Sequence, residues 1–138
     1  MALPQHDSED GVNCYCGLAD VKRHQGQVAE AKQLLINALH LLSNEYARNI
    51  FTVVVIQVVA YCVADQQKSN QAISLFGWVD AWNKTKGIIQ PPVYQEEFDR
   101  YLSQARERLT ESEFNAAWAE GQSMSQEQVL ALAEEVVQ

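Results

Sequence analysis

The stretch IFTVVVIQVVAYCVA, Ile50 to Ala64, decides how this chain folds. It is the longest apolar run in the sequence. Most of its residues are β-branched valine, isoleucine or threonine, which by type favour a strand. Its position favours a helix, because segments with helical periodicity flank it on both sides. Thr52 and Gln57 interrupt it, and 15 residues fall short of the roughly 20 apolar residues a membrane span needs. What remains is a central helix, buried on most sides.

Working upstream, residues 1 to 8 read as a frayed lead, with Ser8 or Asp10 capping a first helix that runs to His24. Val12, Tyr15, Leu18, Ala19 and Val21 are expected to face inward. Gly26 suits a tight turn. Gln27 to Leu42 repeats apolar residues at helical spacing through Ala31, Leu34, Leu35, Ala38, Leu39 and Leu42. Ser43 and Asn44 break that helix, and the central helix is expected over Glu45 to Asp65.

Downstream, Gln66 to Ser69 is a polar turn. A fourth helix follows over Asn70 to Lys84, with Ala72, Ile73, Leu75, Phe76, Val79 and Trp82 inward and an Asp80–Lys84 pair outside. GIIQPP, Gly87 to Pro92, ends it, and the prolines can open the next helix. Val93 to Leu109 carries an apolar stripe of Val93, Phe98, Tyr101, Leu102, Ala105 and Leu109. Thr110 with Glu113, and Ser125 with Gln128, have capping-box spacing. They open a sixth helix ended by Gly121 and a last helix reaching Val137. The class is all-α, with about seven helices.

The formal net charge of -8 is unevenly spread. Residues 95 to 138 hold ten acids and three bases, so the acidity belongs to the C-terminal third. An acidic chain is a poor match for nucleic acid, which attracts basic faces. Cys14, Cys16 and Cys62 are odd in number, and Cys14 and Cys16 are too close for an ordinary disulfide, so free thiols are expected. The acidic start MALPQHDSED lacks the apolar core of a signal peptide. Together these lead us to expect a soluble cytoplasmic protein that binds neither nucleic acid nor membrane.

The helices also repeat. Leu18-Ala19, Gly26, Ala31, Leu35 and Ala38 resemble the tetratricopeptide pattern of a large–small pair, a turn glycine, and small, large, small on the second helix. A shift of 41 residues places Val59-Ala60, Ala72, Phe76 and Val79 in the same roles. Residues 1–86 then form two degenerate helix pairs of a tetratricopeptide-like superhelix, and residues 87–138 form a helical cap in the same compact domain. Residues 72 to 133 further resemble the C-terminal region of bacterial STAND-type ATPases and of LuxR-type transcriptional regulators. Leu75-Phe76-Gly77, Pro91-Pro92, Tyr94, Phe98, Arg106, Leu109, Phe114, Ala117-Trp118 and Glu120-Gly121 carry that resemblance. It implies a non-catalytic sensor or protein-binding arm of a larger signalling protein, either a fragment or a stand-alone relative. Its partner would be another protein, a peptide or its own upstream NTPase domain.

Residues with reactive groups do not converge in the sequence. Cys14, Cys16, Cys62, His6, His24 and His40 lack zinc-finger spacing, and no Cys-x-x-Cys, HExxH or GxxxxGK[ST] motif occurs. A nucleophilic Cys62 is weighed against a buried thiol, which the apolar run favours. Neither cofactor, metal nor catalytic residue is expected. Trp78 and Trp82, four apart on one helix, are read either as core or as the aromatic floor of a groove. Asn44, Arg48 and Asn49 would lie beside that groove in a regular superhelix. Two rival readings are a self-associating structural domain, pairing through the N-terminal end of the stack as a homodimer, and a small helical hydrolase.

Overall fold

The computed structural model describes residues 5–42 and 50–138. Among them seven helices follow one another: α1 (Gln5–His24), α2 (Val28–Leu42), α3 (Ile50–Asp65), α4 (Ser69–Lys86), α5 (Pro92–Glu107), α6 (Glu111–Ser123) and α7 (Gln126–Val137). No strand occurs among the described residues. The expected break at Ser43 and Asn44 and the expected first turn of the central helix lie outside them.

The central run is a helix because it is covered. From Thr52 to Ala64 every side chain except Val54 and Gln57 is buried. Helix α3 packs against α1, α2, α4, α5 and α7. A helix that is apolar all round needs such company. Its buried hydroxyl, on Thr52, accepts a hydrogen bond from Gln126 Nε2 of α7 at 3.1 Å, so no polar atom is stranded there.

Helices α1 and α2 form one hairpin, and α3 and α4 form another. Their turns have the same hydrogen bonds, shifted by 41 residues. Gln25 N–H donates to the Val21 and Lys22 carbonyls, Gly26 to Arg23 and Gln27 to Lys22. Gln66 N–H donates to Cys62 and Val63, Gln67 to Ala64 and Lys68 to Val63. Four packing positions recur as well: Ala19 with Ala60, Ala31 with Ala72, Leu35 with Phe76 and Ala38 with Val79 are each fully buried. The fifth pair differs. Val59 is buried, but Leu18 is 47% exposed, because no described helix covers the outer side of α1. The repeat therefore holds at the level of two hairpins.

Helices α5 to α7 close the stack instead of continuing it. Helix α6 crosses α4 closely, and α7 lies against α2, α3 and α4. Two glycines permit the α4–α6 approach. A Cβ on Gly121 would overlap the Ser74 carbonyl, and one on Gly77 would sit 2.8 Å from the Trp118 carbonyl. Ser74 Oγ donates to the Ala117 carbonyl at 3.1 Å, and Gln122 Nε2 donates to that of Gly77 at 2.8 Å. Gly121 is therefore a contact inside α6 and not its end, which is Ser123.

Other expectations are met or corrected locally. Both capping boxes form, with reciprocal bonds of 2.8–3.1 Å. Pro92 opens α5, and Lys84 meets Asp80 at 2.9 Å. Helix α1 begins at Gln5, ahead of Ser8 and Asp10. Its inward stripe is Val12, Cys16, Ala19 and Arg23, whereas Val21 is 51% exposed. A spacing of 4, 3 and 4 keeps those four on one face and turns Leu18 and Val21 off it. Val93 also stands out, 67% exposed, because the first turn of α5 lies beyond the core that Phe98 enters.

The two turns differ in one respect that stability can read. Gly26 has φ +78° and Gln67 has φ +63°. Left-handed backbone is free for glycine and costs an ordinary residue about 1–2 kcal/mol. Gln67→Gly should stabilise the protein in urea unfolding, and Gly26→Gln should destabilise it, each by about 0.5–1 kcal/mol after the change in unfolded-chain entropy. Nothing lies within 4 Å of a Cβ at Gly26, so only the backbone is tested. A destabilising Gln67→Gly would show that the turn is unstrained.

Candidate functional site

The uncovered side of α3 marks the site. Val54, Gln57, Val58 and Tyr61 follow at spacings of 3, 1 and 3, so they share one face of the helix. Together with Asp20 of α1, Gln90 of the α4–α5 loop, and Tyr94 and Glu97 of α5, they line a cleft of about 270 Å³. Val54 is 43% and Tyr94 58% exposed, whereas Tyr61 is only 2% exposed. Apolar surface forms the floor, and amides and carboxylates form the rim.

The expected groove lay elsewhere. Trp78 and Trp82 stack on each other on α4, with centroids 5.2 Å apart and planes at 29°. Trp78 is 4% exposed and belongs to the core, and Lys86 Nζ sits 5.1 Å over the half-buried Trp82 ring. Asn44, Arg48 and Asn49 lie outside the described residues.

One wall of the cleft is organised by Arg23. It lies in the last turn of α1, at the inward register position that Val12, Cys16 and Ala19 set. Its side chain is 1% exposed. Nη1 donates to Tyr101 Oη at 2.6 Å. Nη2 donates to Asp20 Oδ1 at 2.7 Å and to Glu97 Oε2 at 3.3 Å. The guanidinium carbon also lies 4.7 Å from the Tyr61 ring centroid and 5.2 Å from that of Tyr101. Burial alone would weaken the charge. The Asp20 hydrogen bond and the surrounding negative groups outweigh it and raise the Arg23 pKa, so the group stays cationic. The result is a clamp that joins α1 to α5 across α3.

His24 extends the clamp. Its Nδ1 hydrogen is donated to the Asp20 carbonyl at 2.8 Å. That leaves Nε2 3.2 Å from Arg23 Nη2 and 3.0 Å from Glu97 Oε2. The neutral ring accepts from Arg23, and the protonated ring donates to Glu97. Partial burial opposes the Glu97 charge, but the His24 hydrogen bond and the Arg23 charge hold its pKa below the ordinary 4.5. Asp65, near Tyr101 Oη at 3.4 Å, shifts the other way because desolvation dominates.

Asp20, His24 and Glu97 bring three ligand-type atoms within 4.8 Å of one another. The Arg23 guanidinium already bonds both carboxylates, Asp20 Oδ1 at 2.7 Å and Glu97 Oε2 at 3.3 Å, so these oxygens are committed to the clamp and do not converge on a metal position. Cys62 and Cys16 are buried, and burial pushes each thiol up to about 12, which keeps both protonated and unreactive at neutral pH. Cys14 is exposed.

The sequence contains a signal for this site that periodicity alone passes over. Arg23 is a cation on an apolar stripe, and Gln57 is an amide in an apolar run. Each is a polar residue in a buried register, which calls for a specific partner. Comparisons with protein-family models, with curated proteins and with solved structures find no match for this chain.

The depressed Glu97 pKa ties stability to pH with a definite sign. Its contribution is present above pH 4.5, the unfolded value, and is lost as pH falls through the lower folded-state value. Glu97→Gln should lower stability at neutral pH by about 1.5 kcal/mol. The two proteins should converge in acid, where wild-type Glu97 is itself protonated. Parallel stability curves down to acid would remove Glu97 from the clamp.

Proposed function

We propose that this chain is a non-catalytic helical interaction module whose α1–α3–α5 cleft takes an extended segment of a partner protein. The observation that carries this reading is the uncovered strip of α3, Val54 and Gln57, in a stretch from Thr52 to Ala64 that is otherwise buried. At about 270 Å³ the cleft is smaller than the roughly 300–1,000 Å³ of most small-molecule sites. That size suits an anchoring side chain better than a cofactor. Asp20 and Glu97 are both held by Arg23, and this engagement favours binding over proton transfer. In its fuller form the reading makes the chain a regulatory arm of a bacterial signalling ATPase or transcriptional regulator. The resemblance of residues 72–133 supports that form.

A second reading draws on the outer face of α1, where Leu18 and Val21 are exposed beside exposed Cys14. Such a strip suits self-association of two copies. Sedimentation equilibrium in reductant would then show a dimer that Val21→Lys dissociates, and a monomer at every concentration would remove this reading.

The cleft is tested with capped short peptides carrying one leucine beside one arginine. Val54→Asp places a charge on the floor at an exposed position, so the helical circular dichroism spectrum should not change. Binding by fluorescence polarisation should weaken at least about tenfold, the scale of one lost apolar anchor. Peptides that bind both proteins equally, or neither, would contradict the cleft assignment.

A further inference from the structure

The cleft wall contains two facing amides whose hydrogen bonds are incomplete. Gln57 Nε2 of α3 donates to Tyr61 Oη at 2.8 Å and to Gln90 Oε1 at 3.1 Å. Both of its N–H groups are thereby used. Gln57 Oε1 and Gln90 Nε2 are left without a bond to the described residues, one an acceptor and the other a donor. Turning both amides over exchanges these roles and still leaves one donor and one acceptor. Tyr61, which is 2% exposed and lines the cleft, accepts from Gln57 in the first arrangement and donates to it in the second, so its hydroxyl is bonded in both.

The charges add a direction. Asp20 and Glu97 line the cleft with side chains 39% and 19% exposed, while the Arg23 that balances them is 1% exposed behind them. Glu97 Oε2 is also met by His24 Nε2 at 3.0 Å, with the ring 52% exposed, and by Arg100 Nη2 at 3.8 Å, 59% exposed. An entering group therefore meets carboxylate oxygens before it meets the buried cation.

We infer that the cleft reads one main-chain amide of an extended peptide through Gln57 and Gln90, with an apolar side chain on Val54 and Tyr94 and a neighbouring basic residue toward Asp20 and Glu97. This deepens the peptide-binding reading and rests on it. A peptide group offers one N–H and one C=O, the complement of the free pair. Backbone recognition of this kind gives affinity, while the apolar pocket and the acidic rim select the sequence. The amide contact is separable from the anchor contact, because Gln90 lies in the α4–α5 loop and Val54 lies on α3.

The test uses the capped leucine–arginine peptides and their variants in which one backbone amide at a time is N-methylated. One N-methylated position should weaken binding about tenfold, the loss expected when one buried partner goes unsatisfied. Gln90→Ala, which removes the donor to the peptide carbonyl, should weaken the parent peptide similarly, and Gln57→Ala, which removes the acceptor for the peptide N–H, should reduce the effect of that methyl group to less than about twofold. Replacing the arginine by glutamine should also weaken binding, with most of the difference lost in high salt. If the parent peptide binds and needs Val54, but every N-methylated peptide binds equally and Gln90→Ala has no effect, the amide inference is overturned and peptide binding stands. If no peptide binds, both fall.

Discussion

Helix α3 stays helical through the burial that surrounds it. Valine, isoleucine and threonine lose at most about 0.7 kcal/mol each relative to alanine in a helix. Burying one of the larger aliphatic side chains gains about 1.5–3 kcal/mol. In α3 the second quantity wins at nearly every position, because helices from both hairpins and from the C-terminal segment close around it. The same enclosure sets the positions of its neighbours: α7 supplies the donor for Thr52, and α5 brings Tyr101 against Tyr61, ring centroids 4.7 Å apart.

The cleft follows from where that enclosure is incomplete. Helices α1 and α5 approach α3 from two sides but leave Val54 and Gln57 uncovered. Arg23 holds the two outer helices in place over Tyr61, with bonds to Asp20 on its own helix and to Glu97 and Tyr101 on α5. A buried guanidinium is tolerable only with such a full set of partners. The clamp and the cleft are thus one arrangement: the residues that stabilise the helix junction also give the cleft its acidic rim.

Much of the fold could be read from the residues in order. Capping boxes are local, so Thr110 with Glu113 and Ser125 with Gln128 sufficed to place α6 and α7. The shift of 41 residues was legible because both hairpins need small residues at the same close contacts. What periodicity could not supply was tertiary. Gly121 was expected to end a helix, since a glycine after a periodic run usually does, and its real role depends on the α4 backbone opposite. Leu18 and Val21 were expected inside, since apolar type was weighed above register, while the inward place belongs to Arg23. The cleft was less legible still, because its residues come from α1, α3, the α4–α5 loop and α5, a set that only the packing assembles.

If α3 is the element on which every other part depends, native-state hydrogen exchange should show it helix by helix. Amides from Val55 to Val63 should exchange only through global unfolding, with the slowest rates in the chain and a denaturant dependence equal to that of complete unfolding. Helix α1 and the end of α7 should exchange through smaller openings. If the α3 amides instead exchange by local opening while α1 or α6 stays protected, the chain is organised around another element, and α3 is not what holds the two hairpins and the C-terminal helices together.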